Sequence, residues 1–114
     1  MNEPEYIIRN IDSLTPVPTA HQVGHKAILL GNDLPHSPIT QIAHTTLQAG
    51  ECTDYHAHPT MDEHFYILQG RAIIAIDGTR QECNSNTYIL IRAGIDHSIE
   101  AVTNVELLTI GIAK

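Results

Sequence analysis

The residues best suited to chemistry in this chain are three histidines and one glutamate. One residue separates His56 from His58, and Glu63 lies five positions after His58. Alternate side chains of a β-strand project from the same face, and a turn over residues 59–62 brings Glu63 onto the antiparallel strand opposite. The spacing therefore predicts two imidazoles and one carboxylate on one concave surface. His97, from a later segment, is a fourth candidate.

Two glycines at fixed distances make this pattern specific. A lone His-x-His pair means little in a chain with eight histidines,. With Gly50 and Gly70, the stretch fits G-x5-H-x-H-x4-E-x6-G at every defined position, and this is the first motif of the cupin superfamily. The chain thus resembles the small single-domain, metal-binding cupins with a conserved barrel of the cupin_2 type.

The second cupin motif, G-x5-P-x-G-x2-H-x3-N, is met only in part. Gly94 and His97 match it, whereas Asn86, Arg92 and Ala101 stand where the family has glycine, proline and asparagine. The replaced proline and asparagine are not ligands in the family. Their loss weakens the resemblance of the loop and leaves the expected metal site intact. The two motifs and the strands between them cover about half of the chain.

The resemblance implies that His56, His58, Glu63 and His97 bind one divalent ion inside a barrel. A set of nitrogen and oxygen donors without thiolate favours Mn, Fe, Co, Ni or Zn over Cu(I), and the imidazoles disfavour Mg and Ca. On an octahedral ion, four protein donors leave two positions open for a ligand. On tetrahedral Zn the same four would close the shell and indicate a structural site.

The sequence does not identify catalytic residues, but it offers three candidates. His44 lies on a predicted strand, and the sequence does not show which face of that strand it occupies. It is therefore a candidate for a general base or for a contact to a metal ligand,. Tyr88 and Arg92 are further candidates for the pocket. No nucleophilic triad and no phosphate-binding glycine loop competes with the metal site.

We expect most of the other histidines to lie away from the metal site. Alternation from Glu63 sends Phe65 inward and His64 to the outer face. His21, His25 and His36 fall in the proline-rich first third, and we expect them at the surface or at strand edges. Cys52 lies four residues before His56, so strict alternation would put both side chains on one face,. Which face Cys52 occupies is left open.

The elements that must position these residues are β-strands. The chain has 31 β-branched residues, which suit a pleated surface, and it shows no sustained helical stripe,. Asp77-Gly78 predicts a type I′ hairpin turn. The predicted strands are Tyr6–Ile11, Lys26–Leu30, Ile39–Leu47, Thr53–His58, His64–Leu68, Arg71–Ile76, Arg80–Cys83, Thr87–Arg92, His97–Thr103 and Val105–Ile112.

We therefore expect an all-β single domain, and the resemblance implies a double-stranded β-helix, the jelly-roll barrel of cupins. Five of the six prolines fall at or before Pro38, so residues 1–38 are predicted to be an irregular N-terminal segment with edge strands,. Residues 39–114 form the predicted barrel core within the same domain.

Composition excludes several classes of protein. The chain has 114 residues, a formal net charge of −7 and 42% hydrophobic residues, which argues against disorder and against nucleic-acid binding,. It has no apolar run of about 18 residues that could span a membrane. The acidic start leads into no apolar segment, so we expect no secretory signal, a cytoplasmic location and two free cysteines.

Several strands, such as Tyr88–Ile91, are apolar on both faces, which predicts a homodimer that covers the second face. For function, one hypothesis is a metal-dependent enzyme of isomerase, epimerase, lyase or dioxygenase type, which acts on a small oxygen-rich metabolite chelated by the ion. The alternative is a non-catalytic sensor or binding module for a small ligand. The metal motif alone does not decide between them.

Overall fold

Nine β-strands and one turn of 3-10 helix make up the regular structure of the computed structural model, which describes residues 4–32, 34 and 36–114. Part of the acidic start, at residues 1–3, lies outside the described residues. No described residue is in an α-helix. After the 3-10 turn Ile11–Ser13, the strands are β1 (Val17–Pro18), β2 (His25–Leu30), β3 (Ile39–Leu47), β4 (Met61–Gln69), β5 (Arg71–Ile76), β6 (Thr79–Asn84), β7 (Tyr88–Ile91), β8 (His97–Ala101) and β9 (Val105–Ala113).

The strands form two antiparallel sheets that share one core. The larger sheet has the order β1-β2-β3-β9-β4-β7, and the smaller has the order β6-β5-β8. Phe65 and Ile67 of β4 pack in the same hydrophobic cluster as Ile74 of β5 and Ile99 of β8. This double-sheet arrangement confirms the predicted all-β jelly-roll barrel and its single domain.

Most predicted strands are present with small changes at their ends. The bounds of β3 and β5 match the prediction, and β4 begins at Met61, earlier than expected. The turn between β5 and β6 has φ angles of 47° at Asp77 and 85° at Gly78, as the type I′ prediction requires,. Alternation along β4 buries Phe65 and leaves Tyr66 exposed, so the inward face of this strand is the predicted one.

The predicted strand Tyr6–Ile11 is wrong. The described residues before Ile11 form no strand, and Tyr6 and Ile8 are 77% and 86% exposed. The side chain of Asn10 accepts a hydrogen bond from the backbone N–H of Asp12 at 2.8 Å. This cap starts the 3-10 turn where a strand would have to continue.

The predicted strand Thr53–His58 is also wrong, although the segment still runs against β8. Only isolated bridges join it to that strand, at Cys52 with Glu100 and at His56 with His97. The N–H of Ile99 donates to the hydroxyl oxygen of Thr53 at 2.9 Å and not to a backbone carbonyl. This side-chain acceptor interrupts the regular ladder.

Left-handed backbone conformations occur at the motif positions that the family fills with glycine. Gly50, Gly70 and Gly94 have φ angles of 90°, 95° and 85°. Asn86, which stands at the first glycine of the second motif, has a φ of 69°. Asparagine tolerates this region better than most residues, so the sequence departs from the motif while the backbone keeps its turn.

Two further observations concern the chain as a whole. No helix among the described residues is long and apolar enough to cross a bilayer. Cys52 and Cys83 are both free, with Cys52 exposed and Cys83 buried. Burial raises the pKa of the Cys83 thiol, so this cysteine behaves as an apolar core residue,.

Replacement of Gly70 by alanine is expected to destabilise the protein more than the same change at Gly78. Both residues have positive φ, which costs an alanine about 1–2 kcal/mol. A Cβ at Gly70 would also lie 2.1 Å from the carbonyl oxygen of Asn104, whereas nothing lies within 4 Å of one at Gly78. The clash adds about 1–3 kcal/mol. Urea unfolding of Gly70→Ala and Gly78→Ala measures the difference, and equal losses would contradict this packing argument.

Candidate metal centre

Two chain segments meet at a backbone bridge and bring the four motif residues together. The N–H of His56 donates to the carbonyl oxygen of His97 at 3.0 Å, and the N–H of His97 donates to that of His56 at 2.8 Å. His58 lies two residues beyond the bridge, and its carbonyl oxygen accepts from the N–H of Gly94 at 2.8 Å. Glu63 is the third residue of β4 and faces the same interior.

The ligand-type atoms of the four residues converge on a common point. The Nε2 atoms of His56 and His58 are 3.1 Å apart. Oε1 of Glu63 lies 3.2 Å from Nε2 of His58 and 2.9 Å from Nε2 of His97. The four residues each offer one donor atom within 4.8 Å of the others, so this cluster could hold a metal ion. We call these four residues the His3Glu cluster.

The second nitrogens of two rings are fixed by backbone carbonyls. Nδ1 of His56 donates to the carbonyl oxygen of Asp54 at 2.7 Å, and Nδ1 of His97 donates to that of Ile95 at 2.9 Å. A carbonyl oxygen can only accept, so the Nδ1 atoms carry the protons and the Nε2 atoms face the cluster. Histidines that bind metals are commonly oriented in this way, and the arrangement fits a divalent transition metal.

Burial and pairing act against each other at Glu63 and His97. Burial acts to raise the pKa of Glu63, but the hydrogen bond from His97 and the charges of the nearby histidines outweigh it, and the pKa is lowered. Burial acts to lower the pKa of His97, but its bonds to Glu63 and to the carbonyl of Ile95 outweigh it, and the pKa is raised. The opposite directions of these two pKa shifts favour an ion pair between Glu63 and His97, whose atoms are 2.9 Å apart. At His58, burial dominates and lowers the pKa.

The His3Glu cluster opens into a cavity of about 190 Å³. Phe65, Ile99 and Leu107 give this cavity apolar walls near the cluster, as the predicted inward face of β4 implies. Such walls lower the local dielectric and strengthen any electrostatic interaction at the cluster. The size suits a small molecule and is well below that of sites for drug-sized ligands, which are about 300–1,000 Å³.

His21 also lines this cavity, which the sequence did not indicate. We expected His21 at the surface or at an edge, but its ring lies 4.2 Å from that of His56, centroid to centroid. Its Nδ1 donates to the Asp54 carboxylate at 2.6 Å, and this hydrogen bond lowers the pKa of Asp54. His21, Asp54 and His56 form a second group whose donor atoms lie close together. No spacing rule relates His21 to the motif, so only the fold reveals it.

None of the three catalytic candidates lines this cavity. His44 lies on the opposite face of the larger sheet, where its Nε2 is 3.0 Å from the carboxylate of Glu106. Tyr88 is 57% exposed on β7, and Arg92 is exposed just after it. The structure therefore does not bring these residues together with the His3Glu cluster.

The remaining histidines and Cys52 lie elsewhere. His64 projects away from the cluster, and its Nδ1 lies 2.6 Å from the Tyr88 hydroxyl oxygen. His25 and His36 are exposed, as the sequence indicated. Cys52 is exposed and does not line the cavity.

Comparison with known proteins identifies the family. The family model described as Cupin domain matches residues 43–111, more than half of the chain. The chain belongs to this cupin family. The matched range contains the whole His3Glu cluster, and the resemblance inferred from the two motifs is thereby confirmed.

Proteins similar to this cupin match it at low sequence identity. An uncharacterized protein of Methanocaldococcus jannaschii is 33% identical over 66 residues, which are 58% of this chain and 53% of the other, so the cupin spans about half of that relative. A predicted oxalate decarboxylase from Thermotoga maritima superposes with a TM-score of 0.86 at 23% identity, over 95% of this chain and 100% of the other. Ectoine synthase from P. lautus gives 0.82 at 13% identity, over 94% and 78%.

The Glu63–His97 pair predicts a pH dependence for the stability of the metal-free protein. The pKa of His97 is raised above its usual 6.5, so its contribution is complete below pH 6.5 and is lost as pH rises through the raised pKa,. The pKa of Glu63 is lowered below its usual 4.5, so its contribution is complete above pH 4.5 and is lost as pH falls through the lowered pKa,. Glu63→Gln should therefore lower the free energy of unfolding most between pH 4.5 and pH 6.5, by about 1–3 kcal/mol,.

Urea unfolding in EDTA from pH 3.5 to 9 measures this loss. Glu82→Gln is the matched control, because Glu82 forms a half-exposed pair with Arg71 that does not involve a histidine. Glu82→Gln should lower the free energy of unfolding only slightly, and by the same amount from pH 5 to pH 9, as expected for a surface pair. A Glu63→Gln loss that does not decline as pH rises above 6.5 would show that the ion pair does not form.

Proposed function

We propose that this cupin binds one divalent transition metal per chain through the His3Glu cluster and that the centre serves a small oxygen-rich molecule. The observation that carries the proposal is the convergence of three imidazole nitrogens and one carboxylate oxygen at a cavity. The ring orientations support it, because the backbone carbonyls that accept from Nδ1 leave the Nε2 atoms available. Mn, Fe, Co, Ni and Zn suit these donors.

We further propose that the protein is an enzyme of isomerase, epimerase, lyase or dioxygenase type. A bound ion would act there as a Lewis acid or as a redox centre. The protein residues orient the ligands, and Phe65, Ile99 and Leu107 keep water from the cavity wall. Structural neighbours described as a predicted oxalate decarboxylase and as ectoine synthase support a role in the chemistry of small metabolites.

A non-catalytic binding module or sensor is the second candidate. One observation favours it, namely that His44, Tyr88 and Arg92 do not line the cavity. The cluster would then hold the ligand without a predicted general acid or base beside it. The two candidates share the same metal site and differ in turnover.

Metal loading tests the site itself. Purified, chelator-treated protein dialysed against Mn(II), Fe(II) or Zn(II) should take up about one ion per chain. His56→Ala removes a convergent Nε2 and should lower the affinity at least about tenfold. His64→Ala is the matched control, because His64 lies next to Glu63 in sequence but faces away, and it should bind as the wild type does. Equal loss of metal in both variants would contradict the site.

Turnover separates the enzyme from the binding module. The metal-loaded protein is to be assayed against keto sugars, uronates and catechols by product analysis, and the Fe(II) form by oxygen uptake. We expect turnover of one of these classes, abolished in His56→Ala and retained in His64→Ala. Tight binding of a small molecule without turnover would favour the binding module.

We also propose that the protein is a cytosolic homodimer. The two free thiols support a reducing compartment,. The outward face of the larger sheet carries Ile42 on β3 opposite Ile110 on β9, and a second copy could cover these side chains. Sedimentation velocity tests the dimer, and a species with the mass of one chain at micromolar concentration would contradict it.

A further inference from the structure

The cavity that contains the His3Glu cluster is also lined by a basic side chain. Among the described residues that line it, Lys26 is the one lysine or arginine. Lys26 lies on β2, and the cluster glutamate Glu63 lies on β4, three strands away in the same sheet. The chain carries only 6 lysines and arginines against 13 acidic residues, so a cation facing this cavity is not a general feature of its surface.

The Lys26 ammonium has a neutral partner. Its Nζ donates to Oε1 of Gln41 at 3.1 Å, and it forms no ion pair with any described carboxylate. An ammonium group has three N–H donors, and the amide of Gln41 accepts one of them. The other two donors remain for a ligand or for water. The hydroxyl of Thr45, directly across from Lys26 on β3, lines the same wall.

The sheet register places this polar wall level with the cluster. Gln41 pairs with Gly111, and Gly111 pairs with Glu63, so the three residues form one row across β3, β9 and β4. Neighbouring strands are about 4.8 Å apart, which puts the backbones of Gln41 and Glu63 about 10 Å from each other. The Lys26 ammonium is hydrogen-bonded at one end of this row. A small molecule in this cavity can therefore contact the Lys26 side and the cluster side together.

The charges in the cavity favour an anion. A divalent ion held by neutral imidazoles and the Glu63 carboxylate gives a centre with a net charge of +1, and Lys26 adds another positive charge. A neutral polyol would leave both positive charges without an anionic partner. A carboxylate on Lys26 and an anionic or chelating oxygen group at the other end would neutralise them.

We propose that the cavity binds a small carboxylic acid with a second oxygen-bearing group, such as a dicarboxylate or a hydroxy or oxo acid, and that Lys26 and Gln41 hold its carboxylate. The inference rests on the proposed metal site and adds the chemical class of its ligand. Lys26 is the specificity-determining residue in this arrangement, because it separates an acid from its uncharged analogue.

Calorimetry on Mn(II)-loaded protein tests the proposal with oxalate, malonate and succinate, each compared with its diamide. At least one dicarboxylate should bind at least about tenfold more tightly than its diamide, and Lys26→Met should remove most of that preference. Lys26→Arg keeps the charge and should retain most of it. Lys114→Met is the matched control, because Lys114 lies outside the cavity beside Asp62, and it should bind all the probes as the wild type does.

The outcomes separate this inference from the proposed function. A titration with Mn(II) alone comes first, and failure of the wild type to bind the ion would overturn both. Three outcomes would overturn only the ligand class, provided that the wild type binds Mn(II). The loaded protein could bind no dicarboxylate, or it could bind acids and diamides equally well. Lys26→Met could also leave the preference for the acid unchanged. Mn(II) affinity within about twofold of wild type shows that the variant is folded. Should Lys26→Met fail to fold, Lys26→Gln carries the same test.

Discussion

The reciprocal pair of backbone hydrogen bonds between His56 and His97 is the constraint on which the site depends. These residues are far apart in sequence, and each donates its N–H to the carbonyl of the other. Because backbone bonds fix this contact, the fold itself holds the two histidines side by side. The same segment carries His58, whose carbonyl is in turn held by the N–H of Gly94. Preorganisation of this kind lowers the cost of assembling a metal site.

The barrel interior places a charged pair where water is scarce. Glu63 and His97 compensate each other at 2.9 Å, and the carbonyl of Ile95 holds the second ring nitrogen of His97. His97 is only 2% exposed, so loss of its partner would leave a buried imidazole to shed its charge,. A divalent ion would displace the shared proton, which links metal binding to pH.

Local rules predicted the β-strands and put His56, His58 and Glu63 on one surface, whereas the barrel and the meeting of these residues with His97 were implied by the resemblance to cupins. Alternation along strands, glycine at turns and fixed motif spacing act over a few residues, and Asn86 shows that the turn persists when the glycine is replaced. That the cluster binds a metal stays a prediction. His21 was missed because its contact with His56 depends on how the N-terminal segment lies across the barrel mouth. The face of His44 was likewise open, since no nearby residue fixed its register.

The segment that matches the family begins at residue 43, and this boundary divides the cavity into two parts. The His3Glu cluster lies entirely within the matched segment, whereas His21, Lys26 and Gln41 come before it. Substitutions in the strands before residue 43 can therefore change one wall of the cavity while the four cluster residues stay the same.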